Sequence, residues 1–152
     1  FRSTHSSEAI KLYATILENF EYASIVRGST EDFYNMFKTS DPAQAYKREV
    51  SFYCKYMLCT DADGDIQLFS PQCSRLFPVK KIQTVSTIGA GDNFNAGIIY
   101  GLMTENITND NLAEVTEQQW ERIIAHGQNF ATEVCQSLNN SISKEYAKNY
   151  GK

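Results

Sequence analysis

The sequence predicts an α/β fold in which helices lie on the faces of a sheet. Helical and extended patterns alternate along the chain, as in that fold class. At 152 residues the chain is long enough for one domain with a hydrophobic core and too short for two comfortable ones. Its 42% of hydrophobic residues and 21% of charged residues are typical of a globular protein.

The first predicted elements are a helix and a short strand. Apolar residues at helical spacing predict the helix, and Ser6 or Ser7 is available as its N-cap. A buried strand over residues 23–26 follows, and we expect Gly28 to end it. The helical stripe consists of Ile10, Tyr13, Leu17 and Phe20.

Two helix starts come next. Ser29 and Asp32 stand at the spacing of a capping box, which predicts a short helix. Asp41 precedes Pro42, a residue favoured at the first helical position, and apolar spacing extends that helix to Tyr53.

Two apolar runs, residues 56–60 and 66–69, then predict a pair of strands. Asp63 and Gly64 between them are typical of a hairpin turn. Residues 75–85 should add one or two extended pieces, broken by Pro78, and the last piece should lead as a strand into the next helix.

A core-facing helix is predicted near the end of the chain, where an apolar stripe at helical period runs from Trp120 to Leu138. Residues 104–117, which precede it, are polar and rich in asparagine, and we expect a surface loop there.

Composition excludes several classes of function. A net charge of −4 and a pI near 5.2 argue against a nucleic-acid partner, and no apolar run is long enough to span a membrane. Nothing at the start resembles a signal peptide, so we expect a cytoplasmic location. The four cysteines form no C-x-x-C pair, which favours buried free thiols over a disulfide or zinc framework. His5 and His126 are expected at the surface.

The run "TVSTIGAGDNFNAGIIYGL", residues 84–102, carries the clearest chemical signal. Gly89, Ala90 and Gly91 precede the start of an amphipathic helix, where backbone N–H groups lack helical partners and attract anions. Asp92 would repel a phosphate bound for its own sake, but it could take a proton from an attacking hydroxyl. The alternative is that Asp92 only stabilises the helix dipole, while Gly97 and Gly101 allow tight helix packing.

The run from Ser86 to Ile99 resembles the C-terminal signature of the ribokinase-like (PfkB) carbohydrate kinases. Residues 20–33 are similar to the family segment that precedes an acidic residue associated with magnesium, most closely in the fructokinase-like branch. Residues 57–65 stand where the family has its nucleotide-binding strand and turn. The opening "FRSTH" also resembles fructokinase-like enzymes. The resemblance covers the whole chain, but only about the C-terminal half of the family's fold.

The resemblance implies a three-layer ribokinase-like (Rossmann-like) sheet with helices on both faces. Residues 1–152 would be a single C-terminal nucleotide-binding and catalytic portion, without the N-terminal half that supplies the sugar-binding residues and the lid. It also implies ATP-dependent phosphorylation of a sugar hydroxyl, most closely that of a fructose-like hexose. The chain alone would then be inactive, and a homodimer is left open.

The resemblance also assigns roles to residues. Asp92 would be the general base, and the amides of the Gly89–Ala90–Gly91 turn would form an anion hole. Thr60, Gly64 and Asn129 would contact the nucleotide, Asn129 near the adenine. Asp32 or Glu31 would lie near Mg²⁺ and the phosphates, acting through water.

This chain departs from the family pattern at two places. Ser86 replaces an acidic residue, which weakens the expectation of a monovalent-cation site. Thr60-Asp61-Ala62 replaces Thr-x-Gly, so one glycine contact to the nucleotide is lost or shifted. Two alternatives therefore stay open: a catalytically inactive nucleotide-binding or regulatory module of the same fold, and a kinase for a non-sugar acceptor such as a nucleoside.

Overall fold

The computed structural model describes residues 6–61, 64–72 and 74–151, with side chains from residue 12 onward. The chain forms two compact units, residues 1–79 and 80–152. None of the described helices is long and apolar enough to cross a membrane.

The first unit contains a four-stranded sheet and three helices. Its elements, in chain order, are α1 (Ser6–Tyr22), β1 (Val26–Ser29), α2 (Thr30–Phe37), α3 (Pro42–Arg48), a 3₁₀ turn (Val50–Phe52), β2 (Met57–Thr60), β3 (Ile66–Phe69) and β4 (Ser74–Phe77).

The strands are arranged in the order β1-β2-β3-β4. β1 is parallel to β2, with Val26 opposite Met57, and the other two pairs are antiparallel. The predicted strand pair β2 and β3 is confirmed, with Met57 opposite Phe69. One residue of the predicted turn, Asp63, lies outside the described residues.

The predicted bounds of β1 are wrong. The strand begins at Val26 and includes Gly28, because its pairing with β2 extends over Val26–Ser29 and sets these bounds. A Cβ at Gly28 would lie 3.0 Å from the Phe33 ring, so the glycine lets α2 pack against the strand. Phe33 is buried in a core whose other members are Phe20, Val26, Ala45, Val50, Cys54, Met57, Cys59 and Phe69.

Both predicted helix starts in this unit are confirmed. Ser29 and Asp32 form a capping box at α2, and the Asp41 side chain accepts from the N–H of Ala43 at α3. The predicted extension of α3 to Tyr53 is wrong. The helix ends at Arg48, and the tighter 3₁₀ turn that follows buries Val50 completely.

The second unit is helical in its described part, residues 80–151. Residues 78–85 form no strand, so the prediction of a strand directly before the motif is wrong. Instead, the N–H groups of Val85 and Ser86 both donate to the carbonyl oxygen of Cys135, at 2.8 and 3.3 Å. The elements are α4 (Ala90–Thr104), a 3₁₀ turn (Leu112–Glu114), α5 (Glu117–Cys135) and α6 (Lys144–Asn149).

Glycines allow α4 and α5 to pack closely. A Cβ at Gly97 would lie 2.4 Å from the carbonyl oxygen of His126, and one at Gly127 would lie 2.8 Å from the Phe94 ring. The packing role expected of Gly97 is therefore confirmed. The predicted stripe is correct as far as Val134, but α5 ends at Cys135 and Leu138 is 87% exposed.

The short helix α6 has no counterpart in the predicted elements. Tyr150, the C-cap residue that follows this helix, packs edge-to-face on Phe130, with ring centroids 4.9 Å apart, and on His126. His126 was expected at the surface, and it is partly exposed there, with its ring packed among aromatic residues. His5 lies outside the described residues. The expected free thiols are confirmed for Cys54, Cys59 and Cys135, of which Cys135 is only partly buried, and Cys73 is not among the described residues.

Candidate functional site

The turn before α4 is built around a glycine in the left-handed region. Gly89 is the N-cap of α4, with φ +82°. A Cβ at this position would lie 2.3 Å from the carbonyl oxygen of Asn140. Both the backbone conformation and the contact with Asn140 therefore require glycine.

The N terminus of α4 lacks a side-chain cap. The Ala90 N–H donates to the carbonyl oxygen of Thr87 at 3.2 Å. The amides of Gly91 and Asp92 have no acceptor within the described part of the chain. These donors and the positive end of the helix dipole make the turn suited to an anion.

Asp92 is the third residue of α4, and its side chain is exposed. Gly89 has no side chain for the carboxylate to bind, and the carboxylate forms no hydrogen bond or ion pair within the described residues. An exposed carboxylate next to open amide donors can accept a proton from a bound hydroxyl.

Asn93, the next residue, is a site residue that the sequence patterns do not reveal. It is only 8% exposed. Its Nδ2 donates to the carbonyl oxygens of Gly89, at 2.8 Å, and Asn140, at 2.9 Å, while its Oδ1 accepts from the Ile142 N–H at 3.3 Å. The available signal is its helical spacing to Gly97 and Gly101 on the buried face of α4.

In the first unit, the two acidic residues at the start of α2 have different environments. The Oδ2 of Asp32 accepts from the Ser29 N–H at 2.9 Å and from the Ser29 hydroxyl at 2.7 Å. Burial raises the pKa of Asp32, but these hydrogen bonds from Ser29 outweigh it, so the pKa lies below its usual value. Glu31 is exposed and has no side-chain partner among the described residues.

Thr60 and Gly64 also lie in the first unit. Thr60 is the last residue of β2, and its Oγ1 accepts from the Arg27 Nη2 at 2.7 Å. The guanidinium of Arg27, a cation that the sequence patterns do not single out, thereby reaches the carboxyl end of β2. A Cβ at Gly64 would lie 2.8 Å from the Asp61 carboxylate, so a larger residue there would displace that side chain.

Asn129 lies on the exposed side of α5. Its Nδ2 donates to the Tyr150 hydroxyl at 3.1 Å, and that hydroxyl lies 2.7 Å from the Nδ1 of His126. Burial lowers the pKa of His126, which favours the neutral ring. Asn129 thus binds α6, and its contact with an adenine stays a prediction.

The structure places the predicted residues in two groups. Asp92, Asn129 and the Gly89–Gly91 turn belong to residues 80–152, whereas Thr60, Gly64, Glu31 and Asp32 belong to residues 1–79. Within each unit the local geometry is defined, and the roles of these residues stay predictions.

Comparison with known protein families identifies the chain. The sequence model of the pfkB family carbohydrate kinases matches residues 4–146. The chain belongs to this family. The matched range includes the Gly89 turn and the start of α4, where the open amides and Asp92 lie.

Solved structures of pfkB-type kinases share the fold. Aminoimidazole riboside kinase from Salmonella enterica, complexed with aminoimidazole riboside and an ATP analogue, superposes with a TM-score of 0.78 at 16% identity. It covers 100% of this chain, which spans 50% of that kinase. The likeness confirms the ribokinase-like α/β fold, a sheet flanked by helices.

Two further structures extend the comparison. Fructokinase from Vibrio cholerae O395, bound to fructose, ADP and calcium, has a TM-score of 0.75 at 16% identity, covering 86% of this chain and 41% of its own. Adenosine kinase from Sinorhizobium meliloti has a TM-score of 0.72 at 18% identity, covering 92% and 40% respectively. Among curated protein sequences, none matches this chain. The chain spans about half the length of the solved pfkB kinases or less.

The donor set near α2 suits a magnesium ion held mainly by substrate. No cluster of three metal-ligating side chains occurs within the described ranges. Mg²⁺ in phosphate-binding sites commonly uses one or two carboxylates, phosphate oxygens and water, so a dedicated cluster is not required. The exposed carboxylate of Glu31 fits this role better than that of Asp32, whose Oδ2 caps α2.

Proposed function

We propose that the complete natural protein is an ATP-dependent kinase that phosphorylates a sugar hydroxyl, with a fructose-like hexose as the acceptor. The observation that carries the proposal is the start of α4 in a pfkB-family chain: an uncapped helix terminus with an exposed aspartate as its third residue. The amides suit a phosphoryl group, and the carboxylate suits the hydroxyl that attacks it.

In this proposal, Asp92 accepts the proton of the acceptor hydroxyl as that oxygen attacks the γ-phosphoryl group. The amides of the Gly89–Gly91 turn stabilise negative charge on the phosphoryl oxygens. Among these amides, that of Ala90 is the least available, because its N–H already donates to the carbonyl oxygen of Thr87. Phosphoryl transfer depends mainly on such positioning and charge stabilisation.

The family resemblance also suggests contacts to the nucleotide. Thr60 and Gly64 would line the site for ATP, and Asn129 would lie near the adenine. Glu31, with Asp32 beside it, would hold Mg²⁺ through water. Bound there, Mg²⁺ would neutralise part of the charge of the phosphates. Nucleotides and a calcium ion in the related structures support this part of the proposal.

Two alternatives remain within the same family. A nucleoside acceptor is supported by the riboside and adenosine kinases among the related structures. A nucleotide-binding or regulatory module without catalysis is supported by Ala62, which stands where the family pattern has a glycine. We expect this chain alone to be inactive, because it spans about half of the related kinases.

The test is acceptor-dependent ADP release from ATP and Mg²⁺. Fructose, ribose and adenosine would be assayed with the complete natural protein and with residues 1–152 alone. The proposal predicts release only with the complete protein, and fastest with fructose. Preference for adenosine would favour the nucleoside kinase. Bound ATP without release for any acceptor would favour the inactive module.

A further inference from the structure

We propose that Asn93 is a positioning residue for phosphoryl transfer: it joins the Gly89 turn to the loop of residues 139–142 and so fixes the direction of the turn's amides. The inference rests on the proposed function, and it concerns a residue to which neither the family match nor the motif assigns a role. It begins from three hydrogen bonds of one buried side chain.

Each polar atom of the Asn93 side chain has a defined partner. Both hydrogens of the amide nitrogen are used, one for the carbonyl oxygen of Gly89 and one for that of Asn140. The amide oxygen accepts from the Ile142 N–H. Rotation of the amide by half a turn would place its oxygen against two carbonyl oxygens, so the hydrogen-bond network permits one orientation.

The loop contacts the turn at the same place. The carbonyl oxygen of Asn140, which accepts from Asn93, is also the atom that a Cβ at Gly89 would approach to 2.3 Å. Asn93 is 8% exposed, and loss of its amide would remove the donor to the Asn140 carbonyl oxygen and the acceptor of the Ile142 N–H. The side chain therefore holds loop and turn in contact.

Asn93 can affect phosphoryl transfer through the peptide unit between Gly89 and Ala90. The carbonyl oxygen of Gly89 accepts twice, from the Asn93 side chain at 2.8 Å and from the Asn93 N–H at 2.9 Å. That oxygen and the Ala90 N–H belong to the same planar peptide unit, so fixing one fixes the other. The direction of the adjoining Gly91 amide is set by the same backbone. Small displacements of catalytic groups cost large factors in rate.

The experiment compares Asn93→Ala and Asn93→Ser with a matched control, Asn95→Ala, in the complete natural protein. Asn95 lies two residues further along α4 and is exposed. We expect Asn93→Ala to lower kcat by about 30-fold, with KM for ATP and for the acceptor changed by less than about 3-fold. All rates would be divided by the folded fraction, measured by circular dichroism at the assay temperature.

Asn93→Ser separates the two halves of the network. A serine hydroxyl can donate back to the carbonyl four residues earlier, here that of Gly89, but it is too short to reach Asn140 as well. We expect kcat between those of the wild type and Asn93→Ala. Serine is small and polar, so this variant keeps the proposal testable if Asn93→Ala does not fold.

The outcomes are distinct. A kcat equal to that of Asn95→Ala in the folded Asn93 variants, or a change confined to KM, would overturn the positioning role. The proposed function has its own indicator in the same assay, since undiminished turnover of Asp92→Asn would refute it whatever Asn93 does. A lowered kcat in the Asn93 variants, together with loss of turnover in Asp92→Asn, supports both.

Discussion

The starts of α2 and α4 place an aspartate at the same helical position and use it differently. Asp32 and Asp92 are each the third residue of their helix. At α2, the N-cap Ser29 and Asp32 satisfy each other's polar groups, whereas at α4 the N-cap is glycine and the carboxylate of Asp92 is exposed. The difference indicates that Asp92 is not needed to cap its helix.

The start of α5 supports this comparison. Thr116 and Gln119 form a capping box like that of α2, with the Thr116 N–H donating to Gln119 Oε1 at 3.0 Å. A capping box of side chains thus closes one helix start in each unit, at α2 and at α5. The open start of α4 costs local stability, which is typical of a terminus that binds a ligand.

The largest expected effect follows from removing the proton acceptor at the open terminus. Asp92→Asn keeps the size of the side chain and removes its charge, so we expect kcat to fall by about 1,000-fold while ATP affinity stays within about 3-fold. The control is Asp110→Asn, an exposed acid in the loop after α4. Steady-state kinetics and nucleotide titration measure the two quantities. Equal turnover in the two variants would show that Asp92 is not the proton acceptor that distinguishes the start of α4 from that of α2.

The next effect concerns the glycine that shapes the turn. Gly89→Ala introduces a Cβ against Asn140 and a strained backbone, and we expect about a 100-fold loss of kcat. Gly151→Ala is a matched control, because Gly151 has a similar φ of +80° and a Cβ there would lie 3.1 Å from the flexible Tyr100 hydroxyl. Similar kinetics for both variants would show that the turn's shape does not matter to the reaction.

A smaller effect tests the packing that supports α4. Gly97→Ala would place a Cβ 2.4 Å from backbone, and we expect the free energy of unfolding to fall by about 2 kcal/mol. Alanine is the better helix former, so a loss must come from the contact with α5. Urea denaturation with Ala96→Ser as the exposed control measures it. A stabilised Gly97→Ala variant would contradict the close packing.

The smallest effect tests the closed start of α2. Ser29→Ala removes the cap, and we expect a loss of about 1 kcal/mol at neutral pH. Because the folded pKa of Asp32 is lowered, the carboxylate's contribution is present above its usual pKa and is lost as pH falls through the folded pKa. The loss caused by Ser29→Ala should therefore shrink in acid.

Thr116→Ala provides the control for that pH dependence. Its partner Gln119 is uncharged, so the loss of free energy of unfolding should be similar at neutral and acid pH. Denaturant titrations of both variants at the two pH values make the measurement. An equal acid sensitivity of both variants would show that the Asp32 carboxylate contributes nothing to the cap.

Local signals in the sequence predicted much of this fold. The sequence pattern alone identifies features that involve residues close together in the chain. These are the capping box of Ser29 and Asp32, the Asp41–Pro42 helix start and the apolar stripe of α5. The glycines and aspartate at the start of α4 were predictable for the same reason, since their chemistry belongs to one turn.

Features that depend on distant residues were not predictable. The bounds of β1 depend on its pairing with β2, which lies about 30 residues further along the chain. The position of His126 depends on α6, and Leu138 is exposed because α5 ends before it. The role of Asn93 could not be predicted from the sequence, because only the fold brings its partners Asn140 and Ile142 close to it.

The central claim is that the open start of α4 binds the transferring phosphoryl group. The most direct measurement is by amide NMR of the complete natural protein, with a nonhydrolysable ATP analogue and Mg²⁺ added. The account predicts large shift changes for the amides of Gly91 and Asp92, and none for the capped amides of Thr116 and Gln119 at the start of α5. Unchanged Gly91 and Asp92 amides in a protein saturated with the analogue would contradict it.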